Sequence, residues 1–226
     1  MNTIRAIVVD IEGTITPISF VRDVLFPFAR AHLPGFLQDH ADDAQVADEI
    51  AAIKAMAPGT DVVQALMGWM DRDVKISPLK ALQGLVWRAG YDSGELRGQI
   101  YSDVADCLQA WRERGFALYI YSSGSVAAQK LLLGHSDAGD LCPLLSGYFD
   151  TLVGGKREAA SYQAIAGRIG AAGSECLFLS DIEAELDAAL AAGWRTAQLV
   201  RAQDGTVGSL RHVNCATLAE VDGTLN

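Results

Sequence analysis

Residues 4–14 read Ile4-Arg5-Ala6-Ile7-Val8-Val9-Asp10-Ile11-Glu12-Gly13-Thr14, and the fold class follows from them. Ala6 to Val9 form a short, continuously apolar, β-branched run. That is the pattern of a strand buried on both faces, and such strands belong to parallel sheets covered by helices. The run stops at Asp10, and Gly13 permits a tight turn just beyond it. A spacing of two leaves Asp10 and Glu12 near one another where the chain leaves the sheet. Two acids so placed suit a nucleophile with an acid–base or metal partner. An acidic loop at a strand end accounts for them equally well.

Working outward, the next apolar runs are Ala117 to Tyr121, Cys176 to Leu179 and Thr196 to Val200, with a weaker one near Phe149 to Val153. Helical patterns alternate with them: Asp103 to Arg114, Ser125 to Leu133, Glu158 to Ile169 and Glu183 to Ala192. Most carry a capping residue at the start and a glycine at the stop. Strand–helix alternation predicts an α/β fold with a parallel sheet and helices on both faces. Residues 16–99 are different, with helical periodicity and no convincing strand. We expect an all-helical insertion after the first strand, above the carboxyl ends where open α/β sheets bind ligands. The expected division is 1–15 with 100–226 for the sheet domain and 16–99 for the insertion.

Composition narrows the function. The chain has 226 residues, with 18 Lys+Arg against 28 Asp+Glu and a net charge of −10. Nucleic acid and anionic membrane surfaces are therefore poor partners. No apolar stretch approaches the roughly 18 residues needed to span a bilayer. The short apolar run at the start is too brief for a signal-peptide core, so a cytoplasmic protein is expected. A monomer is expected as well, although no residue pattern carries that expectation. Cys107, Cys142, Cys176 and Cys215 form no C-x-x-C pair and read as buried, reduced thiols.

The polar residues collect at the strands' carboxyl ends. Ser122-Ser123-Gly124-Ser125 could cradle a phosphate at a helix start, although an N-cap explains it as simply. Lys156, after Gly154-Gly155, could neutralise a phosphate or be a solvated lysine. Asp181 ends a strand and could hold Mg²⁺, which takes oxygen ligands. Glu183 and Glu185 are explained by the preference of a helix N-terminus for acids.

Four individually weak signals occurring in order are much harder to assign to accident. Asp10 with Glu12, then Ser122, Lys156 and Asp181 resemble the four motifs of the haloacid dehalogenase superfamily, and the helical insertion resembles its cap. The resemblance implies a Rossmann-like core. Glu12 stands where most phosphatases of that superfamily carry Asp. Asp10-Ile-Glu-Gly-Thr with Thr16-Pro-Ile-Ser-Phe-Val resembles the enolase-phosphatase (acireductone synthase) branch. So do Leu79-Lys-Ala-Leu-Gln-Gly, Ser122-Ser-Gly-Ser-Val, Gly147-Tyr-Phe-Asp-Thr and Phe178-Leu-Ser-Asp. Ile15 departs from that branch, where a Thr is expected.

The resemblance implies a Mg²⁺-dependent enzyme of methionine salvage whose partner is a small phosphorylated diketone. It would enolise 2,3-diketo-5-methylthiopentyl-1-phosphate and then dephosphorylate it to the acireductone. Asp10 would be the nucleophile and Glu12 a proton acceptor. Ser122, Ser123 and Lys156 would hold the substrate, and Asp10, Glu12 and Asp181 the metal. A phosphatase for another small phosphorylated metabolite is the alternative. Phe20, Lys75, Lys80, Gln83 and Trp87 could face the substrate from the insertion, but packing or a solvated surface explains them at least as well.

Overall fold

The computed structural model describes residues 3–74 and 76–225; Lys75 lies outside them. In chain order, strand β1 spans Ala6–Val9, and a short helical turn α1 (Ile18–Phe20) runs on through a π-helical segment at Val21–Leu25. Helices α2 (Phe26–Asp39), α3 (Ala44–Met56), α4 (Val62–Asp71) and α5 (Ser77–Asp92) follow. Then come α6 (Val104–Glu113), β2 (Ala117–Tyr121), α7 (Val126–Gly134) and β3 (Gly147–Phe149). The chain continues with α8 (Ala159–Ile169), β4 (Cys176–Ser180), α9 (Glu183–Ala191) and β5 (Arg195–Leu199). It closes with β6 (Val213–Cys215) and α10 (Leu218–Val221).

Among the described residues, six strands form one sheet in the order β3-β2-β1-β4-β5-β6. Every pairing is parallel, and Val9 aligns with Ile120 on one side and Leu179 on the other. All four residues of β1 are buried, as its unbroken apolar run requires. Strand order reverses direction at β1, and crossovers keep one hand, so helices reach both faces. On one face Ala6, Val8 and Phe178 pack against Tyr162 and Ile165 of α8 and Leu186 and Ala189 of α9.

The chain divides into two compact units, residues 1–20 with 97–226, and Val21–Leu96. The second unit is helical. Its helices begin where short acids cap them: Asp43 accepts from Gln45 and Val46 N–H, and Asp61 from Gln64 N–H. Its own core gathers Leu33, Leu37, Val46, Ile53, Leu66, Leu82 and Val86. At Gly90 a Cβ would lie 2.6 Å from the Phe28 ring, so only glycine lets α5 pack this closely on α2. Trp87 donates to the Leu25 carbonyl at 2.8 Å and meets Phe26 edge-on. Phe20 and Gln83 are buried, and Lys80 is exposed.

Two local expectations need correction. The weak strand lies at Gly147–Phe149 rather than at 149–153. The Asp150 carboxylate accepts the Leu152 N–H at 3.0 Å and the Val126 N–H at 3.2 Å, folding the chain out of the sheet and leaving Leu152 exposed. Of the four free cysteines, Cys176 and Cys215 are buried, whereas Cys107 and Cys142 are only partly so. Among the described residues no helix is long and apolar enough to cross a membrane.

Candidate active site

The site lies in the sheet-bearing unit and starts at the end of β1. The Asp10 N–H still bonds to the Leu179 carbonyl at 2.9 Å, so the sheet holds this buried carboxylate's backbone. The chain then turns tightly. The Ile11 carbonyl accepts from Thr14, Ile15 and Thr16, and the Gly13 N–H donates to the Thr16 carbonyl at 2.8 Å. Gly13 has φ +68°, and a Cβ there would lie 2.5 Å from Asp181 Oδ2. The turn after β1 and the Asp181 carboxylate are thus in close apposition, and the glycine is required twice over. The Glu12 side chain is exposed.

Lys156, in the loop between β3 and α8, is buried at 7% exposure. Its loop is pinned by side chains at successive carbonyls. Tyr121 donates to Gly154 at 2.9 Å, Ser161 to Gly155 at 2.8 Å and Tyr162 to Lys156 at 2.7 Å. The ammonium Nζ lies 2.6 Å from Asp10 Oδ1 and 2.6 Å from Glu185 Oε2. The Ser180 hydroxyl lies 3.0 Å from Glu185 Oε2 and 3.4 Å from Asp10 Oδ2. Asp10, Lys156, Glu185 and Ser180 therefore form one buried, hydrogen-bonded group.

Its electrostatics are lopsided, because Asp10 and Glu185 both contact the ammonium of Lys156 while Asp181 adds a third negative charge nearby. Burial works against that ammonium, but Asp10 and Glu185 outweigh it and hold the group above its ordinary range. Burial, then the charges of Asp10 and Glu185, push the Asp181 carboxyl up to about 7. Glu185 is raised by burial first and Asp10 second, with Lys156 pulling back. A second positive charge would relieve this crowding.

Among the described residues no three His, Cys, Asp or Glu side chains converge as a metal-binding group. The set expected from the sequence uses two carboxylates, Asp10 and Asp181, with the backbone carbonyl of Glu12. Only two of those three donors are side chains. The all-oxygen donors and the excess negative charge suit a hard divalent cation such as Mg²⁺.

The serines follow the neighbouring strand, β2. Asp10 and Tyr121 follow the aligned pair Val9 and Ile120, so Ser122 leaves the sheet beside the end of β1. Ser122 is buried, and its hydroxyl accepts the Gly124 N–H at 3.3 Å; Ser123 is exposed. Gln129 clamps this turn by donating to the Gly124 carbonyl at 2.8 Å and the Phe149 carbonyl at 2.9 Å. Ser125 caps α7 by accepting from Ala128.

Glu185 and Ser180 are site groups that the sequence reading missed. Glu183 stays outside this group and bonds to Ser209 and Arg211. Helix-dipole preference is not enough for Glu185, which is buried against Lys156. A usable signal was present. Acids two apart on a helix point about 200° apart at 3.6 residues per turn, so one of the two had to face inward.

A family model described as haloacid dehalogenase-like hydrolase matches residues 4–193. The chain is 56% identical over 213 residues to the enolase-phosphatase E1 of Granulibacter bethesdensis, covering 94% of this chain and 92% of the relative. It is 59% identical over 203 residues to the enolase-phosphatase E1 of Serratia proteamaculans, covering 88% and 89%. Among solved structures, the UTR4 protein of Saccharomyces cerevisiae superposes with a TM-score of 0.82 at 35% identity, covering 97% of this chain and all of that one.

Proposed function

Because the chain belongs to the enolase-phosphatase E1 family of haloacid dehalogenase-like hydrolases, we propose that it converts 2,3-diketo-5-methylthiopentyl-1-phosphate to the acireductone and phosphate in methionine salvage. The substrate is first enolised and then dephosphorylated. The observation that carries this reading is the ion pair between Lys156 and Asp10, at 2.6 Å in a buried site. It keeps the carboxylate aligned and beside a positive charge that an incoming phosphate would need.

In the first step Glu12 takes a proton from the carbon next to the diketone. Its extra methylene gives it more reach than Asp. If its backbone carbonyl serves the metal, its carboxylate remains for proton transfer. Mg²⁺, held by Asp10, the Glu12 carbonyl and Asp181, would polarise the carbonyl oxygens and neutralise phosphate charge when bound. In the second step an Asp10 oxygen attacks phosphorus in line. The bond from phosphorus to the substrate oxygen breaks, the freed oxygen takes up the proton that Glu12 removed, and an aspartyl-phosphate forms, which water hydrolyses to phosphate and the free Asp10 carboxylate. Lys156 and the Ser122–Ser123 turn bind the phosphoryl oxygens, since phosphoryl transfer depends chiefly on alignment and charge neutralisation.

The test is to supply the diketo phosphate with Mg²⁺ and follow enol absorbance and phosphate together. Enol signal arising before or with phosphate is expected. Phosphate released with no enol signal would reduce the protein to a phosphatase for another small metabolite. Neither signal would remove the proposal altogether.

A further inference from the structure

Arg201, in the loop after β5, is buried at 4% exposure. Its Nε and Nη2 both donate to the Thr14 carbonyl, at 3.1 and 2.8 Å. Nη1 and Nη2 grip the two oxygens of Asp103 at 2.9 and 3.1 Å, and Nη1 also donates to the Ala216 carbonyl at 3.1 Å. These bonds use all five donors of a guanidinium. The group is stacked 4.1 Å from the centre of the Tyr101 ring, and Asp103 is itself held by the Leu218 N–H at 2.6 Å.

Thr14 belongs to the turn that carries Asp10, Glu12 and Gly13. That turn is otherwise closed mostly by its own backbone bonds to Ile11 and Thr16. Arg201 fastens it through the Thr14 carbonyl, from a loop remote in sequence. Gly13 has almost no clearance from Asp181, so any movement of the turn changes the distance between Asp181 and the Glu12 carbonyl.

We infer that Arg201 is a positioning residue for the reaction, fixing the turn after β1 so that Asp10, the Glu12 carbonyl and Asp181 stay in register. The inference rests on the proposed reading that these three groups carry the chemistry. Lysine cannot substitute, because a point charge with three donors cannot hold Thr14 and both oxygens of Asp103 in one plane.

The experiment compares Arg201→Lys with wild type by Mg²⁺ titration calorimetry without substrate, and by steady-state hydrolysis of p-nitrophenyl phosphate. Outer groups that orient ligands typically cost about 10–100-fold in metal affinity or activity when changed. A loss in that range is expected in both Mg²⁺ affinity and kcat, with KM nearly unchanged and the near-UV circular dichroism of the wild type. Wild-type Mg²⁺ affinity and kcat in a folded Arg201→Lys protein would overturn the inference. So would a rise in KM alone, which would make Arg201 a substrate-binding group. Should Arg201→Lys fail to fold, Asp103→Asn decides. It loosens the guanidinium while keeping its bonds to Thr14, and a loss near tenfold in both quantities is expected; no loss overturns the inference. A wild-type enzyme that binds Mg²⁺ but leaves the diketone unenolised would sink the substrate assignment and leave this comparison intact.

Discussion

Replacing Glu185 with Gln preserves shape and removes one of the two carboxylates that hold Lys156. The Lys156–Glu185 contact is 2.6 Å long, as short as the contact with Asp10. A Gln oxygen still accepts from the ammonium, so the change removes only the charge on the acceptor, about half of a charge-assisted bond of about 1.5–3 kcal/mol, or roughly 1–1.5 kcal/mol. The Ser180 bond survives, because a Gln oxygen accepts it as well. Tenfold in rate is about 1.4 kcal/mol, so kcat should fall about five- to tenfold if that hold acts in the transition state. Mg²⁺ affinity should not fall. One like charge is taken from beside Asp181, whose carboxyl burial, Asp10 and Glu185 now hold high. Steady-state phosphate release at saturating Mg²⁺, paired with Mg²⁺ calorimetry, measures both. Unchanged kcat with weakened Mg²⁺ binding would refute the reasoning, because Glu185 would then serve the metal rather than the lysine.

Asp10→Asn should abolish phosphate release; an enol signal that persisted in that variant would show the two steps to be separable, and full phosphatase activity would exclude Asp10 as nucleophile. Glu12→Asp should slow enolisation more than hydrolysis of p-nitrophenyl phosphate, and wild-type enolisation would remove Glu12 as the base. Gly13→Ala places a Cβ 2.5 Å from Asp181 Oδ2 and adds about 1–2 kcal/mol of left-handed backbone strain. It should fold yet bind Mg²⁺ poorly, which calorimetry would check. Leu66→Ala, fully buried in the helical unit, should cost about 2–5 kcal/mol in urea denaturation; a much smaller value would mean that α3, α4 and α5 repack around the space.

The strands were legible where four or five apolar residues ran into a polar stop, as at Val9-Asp10 and Leu179-Ser180. They were not legible where that contrast failed. β6 is three residues long with Val213 and Asn214 exposed, so it carries no burial pattern. β3 was displaced because the Asp150 side chain competes locally for backbone N–H groups. At the site, the order of Asp10, Ser122, Lys156 and Asp181 along the chain could be read, but their distances could not. The ion pair of Asp10 with Lys156 joins strand ends that only the strand order brings together. Glu185 was hidden because a sufficient local explanation existed for an acid there. Arg201 was hidden because a lone arginine in a loop carries no local pattern; its five bonds reach Thr14, Asp103 and Ala216, which no window of sequence contains.

The strand order has a consequence for how the chain is made. β1 leaves the ribosome before β2 and β4, yet it sits between them, so Ala6 must wait for Ala117 and then Cys176 to find its partners. In the interval it is an apolar segment with two open edges, the kind that pairs with the wrong neighbour. The helices from 21 to 96 have their core partners close by in sequence and need not wait. The residue assigned as nucleophile is thus synthesised long before its lysine and before Asp181. On the proposed reading, a chain released before residue 181 carries Asp10 without the second carboxylate of the metal site, and reactivity waits for the segment that holds Asp181.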